Sequence, residues 1–233
     1  MFGKFKSIFN ENTFLFSALS ITAVLITVTG IIFKSQFITI SPLYVSIFIM
    51  LFQAQANRIA PLIGSLNSIL YAAIYIKMGL YSTAIYCLLF SFPIQLATFI
   101  RWNKNKYGKS TIFRKLNAKW RIAVAFLFLA VLVGQIFVMN KLGASNTVLD
   151  SISSLLGILI SFLTLLSFIE YSWLSLILCF VNLLLFTNVA INDISRLPFV
   201  VYMLYSYVCT IKQFITVRKL FNEQQNLEET KND

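Results

Sequence analysis

The sequence predicts an all-α integral membrane protein of about eight transmembrane helices, one extra N-terminal helix preceding a 3+1+3 parallel-repeat bundle. Three observations predict it. Of the 233 residues, 58% are hydrophobic and only 12% charged, and the mean hydropathy is +0.81, whereas a soluble domain carries roughly 25% charged residues. Apolar runs long enough to span a bilayer, about 17–25 residues each, recur along the whole chain. The Lys and Arg residues fall unevenly between those runs, as they do when a bilayer sorts them.

Residues 1–36 form a basic N-terminal segment and the extra helix. Lys4 and Lys6 stand beside Phe2, Phe5 and Phe9, a pattern that suits an amphipathic lead-in on the membrane surface. The run at 13–33 is long enough to span and lacks an A-x-A-like cleavage site, so it reads as a span and not a signal peptide. Residues 37–101 make the first three-helix repeat, with helices at 37–54, 58–76 and 80–101 carrying Pro42, Pro61 and Pro93 in turn. Residues 102–147 supply a basic loop and a linker helix at 121–139. Residues 148–217 make the second repeat, with helices at 149–169, 173–189 and 197–217. The polar tail at 218–233 is expected to fray from 221 onward.

The charges test this division. With a cytoplasmic N-terminus, 15 of the 19 basic residues lie inside, eight of them in the 101–121 loop, and Lys34, Lys77, Lys141 and Arg196 lie outside. Such a split fits eight spans with both termini cytoplasmic, in a plasma membrane. Trp102, Trp120 and Trp173 fall at the cytoplasmic ends of helices, where belt residues are expected, and Tyr75 and Tyr81 occupy the same place on the outer side. Shifting the chain by 115 residues lays the helices of one repeat on those of the other and places Asn67 on Asn182 and Tyr71 on Phe186. Repeats in the same orientation, joined by one linker helix, form the layout of the SWEET class, whose site lies between the repeats near mid-membrane.

Several chemistries are excluded. The chain has no histidine, which removes the commonest general base and metal ligand. Cys87, Cys179 and Cys209 stand alone in apolar runs and read as packing residues. The eight acidic residues all fall in loops, tails or at helix ends, so neither paired-carboxylate catalysis nor an intramembrane coupling acid is indicated. No GxxxxGK[ST] motif is present for ATP hydrolysis. The basic residues do not form an aromatic-interleaved groove for nucleic acid. No cofactor and no enzyme activity are expected.

An uncharged, aromatic-lined path remains. Asn67 and Tyr71 are four residues apart and share a helix face with Gly64, which leaves room for a neighbour or a ligand. Gln95 follows Pro93, whose missing N–H frees a backbone carbonyl. Buried amides are costly unless hydrogen-bonded, so Asn67, Gln95 and Asn182 are candidate substrate groups. Tyr202, Tyr205, Ser154 and Thr164 are further lining candidates, the two hydroxyls being expected to bond back to their own helix. Trp173 lies nine residues before Asn182, about 180° around a straight helix.

These residues resemble the PnuC family of bacterial nicotinamide riboside transporters. Asn67-x3-Tyr71, Gly79-Leu80-Tyr81, Pro93-Ile94-Gln95 and Trp102 match that family's N-x-x-x-Y, G-L-Y, P-x-Q and closing Trp. Asp150 with Ser153-Ser154, then Glu170, Trp173 and Asn182, match the second half more loosely. Where the family often has a Trp closer to the second-half Asn, this chain has Leu176 and Phe180. The resemblance implies a facilitator for nicotinamide riboside, or for thiamine, riboflavin or deoxynucleosides. It further implies alternating access without ATP, a homotrimer, and trapping of the cargo by a cytoplasmic kinase. Asn67, Gln95 and Asn182 would bind the substrate, with Tyr71 and Trp173 as aromatic walls and Tyr202 beside them. A non-transporting scaffold subunit, recruiting partners through the basic loop, is the rival reading.

Overall fold

The computed structural model describes the backbone of residues 2–232 and the side chains of residues 13–227. Its helices are α1 Phe2–Ile32, α2 Phe37–Ala54, α3 Ala60–Lys77, α4 Tyr81–Tyr86, α5 Phe92–Lys104, α6 Ala118–Lys141, α7 Thr147–Leu165, α8 Glu170–Asn192 and α9 Leu197–Asn232. A π-helical turn, Cys87–Ser91, joins α4 to α5, so that Tyr81–Lys104 crosses as one passage. Pro93 accounts for the break. It cannot donate to the carbonyl four residues earlier and its ring crowds that turn, so the helix widens just before it.

Among the described residues, seven passages are long and apolar enough to cross a membrane, the first being Thr13–Ile32 and the last Ile194–Leu227. The eighth long helix, α3, is outside that set because Ser65, Asn67, Ser68 and Lys77 dilute it. Polarity here marks position, since α3 packs between α2 and the α4–α5 passage.

Six passages close a ring in the order α2, α3, α4–α5, α7, α8, α9 and back to α2. One half of the ring thus meets the other along two seams, α2 against α9 and α4–α5 against α7. α1 lies outside against α2 and α9, burying Ile26 completely. α6 packs on α7 and leaves most of its apolar surface uncovered, including Phe126 and Val133. In a bilayer such a surface faces lipid or another protomer at no cost, because acyl chains are as apolar as leucine.

The end of the ring bearing Arg58, Arg101 and the 105–117 loop is here called the basic end. The loop is built, not loose. Lys106–Tyr107 and Ser110–Thr111 pair as a two-stranded antiparallel hairpin, turning at Gly108 with φ +56°. Phe113 reaches back against Trp102 and Tyr171, at 6.0 and 6.3 Å between ring centroids. Arg114 pairs with the α7–α8 turn through Arg114 N–H to Ser167 O and Ile169 N–H to Arg114 O.

Three expectations are corrected. The segment expected to fray from 221 onward continues α9 as helix, because Glu, Gln, Leu and Lys are good helix formers and Gln224 is buried. Gln224 accepts from Phe113 N–H at 2.8 Å and donates to Thr111 O at 3.0 Å, pinning the loop. Trp102 is a core residue, not a belt residue: it is 3% exposed and donates its indole N–H to Thr164 O. Tyr75 is likewise buried, while Trp120 is 65% exposed, as a belt residue would be. The side chains that would make 1–12 amphipathic lie outside the described residues.

Among the described residues, Asp193 sits in the turn before α9. The Ser195 hydroxyl, with help from the Ser195 N–H and Arg196, holds its carboxyl below the usual carboxylate range.

Candidate functional site

The ring encloses a cavity of about 290 Å³ to which all six passages contribute, close to the lower end of the 300–1,000 Å³ usual for small-molecule sites. Asn67 stands at its centre on α3. Its Nδ2 donates to Ser46 Oγ at 2.8 Å and to Pro42 O at 3.2 Å, both on α2. The Pro42 carbonyl also accepts from Ser46 Oγ at 2.9 Å, as the carbonyl of a helical proline can. Asn67 Oδ1 is buried and has no hydrogen-bond partner. A buried carbonyl oxygen without a donor costs about 1–3 kcal/mol, and a ligand donor in the cavity would remove that cost.

Tyr71, one turn along α3, shares the Ser46 hydroxyl at 2.7 Å and stacks on Tyr75, 5.3 Å between centroids at 20°. Tyr75 touches Phe186, which stacks on Phe199 at 5.3 Å. This file of rings bounds the cavity at the end away from the basic face. Tyr202 completes the aromatic wall from α9.

Gln95 enters from α5. Its Nε2 donates to Ser91 Oγ at 2.5 Å and to Ser68 Oγ at 3.4 Å, and the two serines bond each other at 2.8 Å. Gly64 makes the placement possible, since a Cβ there would overlap Gln95 Oε1. The space seen in the sequence at Gly64 is therefore filled by the second candidate amide. On the other half of the ring, Asn182 Oδ1 accepts from Ser153 Oγ at 2.5 Å. Each half thus has an asparagine on its second helix bonded to a serine on its first. The two serines are not related by the 115-residue shift that relates the asparagines, so the correspondence is one of partners, not of register.

Asn67, Tyr71, Gln95, Asn182 and Tyr202 all line the one cavity; Trp173 does not. It points to the outside of α8 and is 44% exposed, as its half-turn offset from Asn182 requires. Trp102 and Tyr171 are the large rings at the basic end of the cavity instead. Tyr205 is buried in the core, donating to Ile47 O, and Ser154 lies in a separate network with Ser82 and Gln135. Thr164 does line the cavity and bonds back to Ile160 O.

The serines Ser46, Ser68 and Ser91 were missed by sequence reasoning, and Ser153 was named only as part of the family resemblance. Each is small and sits in an apolar run, and the signal that finds it is its distance to an amide on a neighbouring helix, which one sequence does not carry. Asp150, read from the sequence as lying at or near the outer face, is in the first turn of α7 and is wholly buried at the α4–α7 seam, a burial that the sequence did not show. There it accepts from Ser82 N–H, Thr83 N–H and Thr83 Oγ1. A carboxylate at the first turn of a helix is well placed to satisfy its open N–H groups. Thr83 lines the cavity, Asp150 does not.

Among the described residues, no Lys, Arg, Asp or Glu lines the cavity. Hydroxyls, amides and aromatic rings make up its polar surface, a composition that can hydrogen-bond and stack a small polar molecule. Among the described residues, no group of His, Cys, Asp and Glu could hold a metal ion.

Comparison with known proteins agrees with this geometry. A solved structure described as "Crystal structure of the Vitamin B3 transporter PnuC" superposes with a TM-score of 0.77 at 18% identity, covering 91% of this chain and 92% of that one. No curated protein sequence matches the chain. The profile of the family described as "Nicotinamide mononucleotide transporter" matches residues 36–215, which takes in α2 to α8 and α9 as far as Ile215. This chain belongs to the nicotinamide mononucleotide transporter family and is a membrane transporter, not an enzyme.

Proposed function

We propose that the chain is a facilitator for nicotinamide riboside or a close unphosphorylated vitamin relative. The observation that carries this reading is the uncharged lining of the cavity. A mononucleotide brings a phosphate monoester of about −1.5 to −2 charge, and leaving such a charge without a cation in a desolvated site is costly. The riboside has no phosphate and carries a fixed positive ring. Tyr71 and Tyr202 offer ring faces to it, each cation–π contact being worth roughly 0.5–2 kcal/mol. Asn67 Oδ1 is free to accept from a ribose hydroxyl or the carboxamide. Gln95 and Asn182 would hold the other end of the molecule.

Transport would proceed by rocking of two three-helix groups, α2 with α3 and α4–α5 against α7, α8 and α9, about the two seams between them. The like orientation of the two groups and their matched asparagine–serine pairs support a parallel internal repeat joined by α6. The distribution of basic residues supports a bacterial plasma-membrane location with the basic end, and both termini, in the cytoplasm. Net uptake would come from phosphorylation of the cargo by a cytoplasmic kinase, and the uncovered face of α6 is available for assembly into a homotrimer.

Counterflow in liposomes tests the substrate. Labelled nicotinamide riboside should exchange, and nicotinamide mononucleotide should not. Equal exchange of the two would overturn the reading, and exchange of thiamine, riboflavin or a deoxynucleoside alone would move the assignment within the same class. Exchange of none would overturn the substrate assignment but not the fold.

A further inference from the structure

A second cleft, of about 410 Å³, lies on the outside of the ring at the basic end, and it shares no residue with the transport cavity. Three chain segments build it: the 105–117 loop with the start of α6, the start of α8, and α9 near its end. Lys115, Arg121 and Arg218 supply three cations, against one carboxylate, Glu170. Arg121 is engaged, its guanidinium 2.7 Å from Glu170 Oε1, an oxygen that also accepts from Leu116 N–H. Arg218 is positioned over the Phe214 ring at 4.3 Å. Trp173, displaced from the transport site, forms the open wall.

A second observation points to a ligand. Glu170 is 94% buried, and its Oε2 has no hydrogen-bond partner. A half-satisfied carboxylate beside surplus cations is costly unless something supplies a donor. A ligand with a phosphate for Lys115 and Arg218 and a hydroxyl for Glu170 Oε2 would satisfy both. From these positions the geometry points to a binding site for a phosphate ester on the outer surface of the transporter, separate from the transported molecule. An exposed Trp next to basic residues at the end of a span lies at headgroup depth in a bilayer, where an anionic phospholipid carries the same chemistry as a soluble phosphate ester.

The test is thermal unfolding of the purified full chain in detergent, titrated with phosphatidylglycerol, phosphatidylcholine or glycerol 3-phosphate. Phosphatidylglycerol should raise Tm with dose and phosphatidylcholine should not. The apparent affinity should fall roughly fivefold for each cation removed in Lys115→Gln and Arg218→Gln. A rise with glycerol 3-phosphate but not with phosphatidylglycerol, lost in the same variants, would keep the site and assign it to a soluble ester. Lys115→Arg, which keeps the charge, should retain the response and so separates loss of charge from loss of fold. A response to none of the phosphate probes, or one unchanged in the Lys115→Gln/Arg218→Gln double variant, overturns the proposal. Counterflow through these variants should match that of the unaltered chain under saturating cargo, since none of the cleft residues lines the cavity.

Discussion

Asn67 donates twice and accepts nothing: both Nδ2 hydrogens go to α2, and Oδ1 is left buried in the cavity without a donor. Deleting the amide removes the acceptor for the cargo and strips Ser46 of a partner it shares with Tyr71. Asn67→Leu should therefore cost about 1–3 kcal/mol of cargo binding, seen as a roughly 5- to 150-fold loss of counterflow affinity with membrane insertion intact. Normal affinity in that variant would place the site elsewhere. Gly64 and Gln95 form a pair of a different kind, because one must be small for the other to be in place. Gly64→Ala should lower exchange much as Gln95→Ala does, by driving the amide from Ser68 and Ser91. In a Gln95→Ala background the added methyl should have almost no further effect on exchange or on Tm. Additive losses would show that the contact is not what Gly64 protects.

Among the elements, the α4–α7 seam depends on one carboxylate. Asp150 satisfies two backbone N–H groups at the start of the Tyr81–Lys104 passage and the Thr83 hydroxyl as well. Asp150→Ala leaves both N–H groups buried without an acceptor, a loss of about 1–3 kcal/mol for each such group, and should lower Tm clearly in detergent. An unchanged Tm would mean that water replaces the carboxylate. The sequence shows why the burial of this residue was missed while other features were read. Helix lengths and the order of spans follow from apolar runs, and α2 was read to the residue because polar Gln36 and Gln55 bound it. That Asn67, Tyr71, Gln95, Asn182 and Tyr202 line one cavity was legible because amides and tyrosines are conspicuous in apolar sequence. Asp150 reads as a residue at the end of its span, which it is, but its burial depends on partners on another helix. Trp173 was carried in by resemblance against its own helical spacing, and the spacing was the better guide. The tail failed for the opposite reason, since Gln224 looks like solvated sequence and is held by a loop more than a hundred residues away.

For the whole molecule, the uncharged cavity bears on what drives the cargo. A carrier whose binding residues are ionised moves its own charge with the empty site and can cancel that of the substrate. Here, among the described residues, no Lys, Arg, Asp or Glu lines the cavity, so on the proposed reading the charge that crosses per cycle is that of the cargo alone. An inside-negative potential of 100 mV is worth about 2.3 kcal/mol per positive charge, which corresponds to roughly fiftyfold accumulation at equilibrium without a kinase. In proteoliposomes with a potassium diffusion potential set by valinomycin, nicotinamide riboside should accumulate by that factor, and the gradient should collapse when the potential is removed. Riboflavin, if carried, should only equilibrate, because it is uncharged. Equal steady-state levels of riboside with and without the potential would show that a compensating charge moves with it. Asp150, bonded to the lining residue Thr83, or an ion bound with the cargo could then supply it, and the two differ in whether Asp150→Asn restores the response.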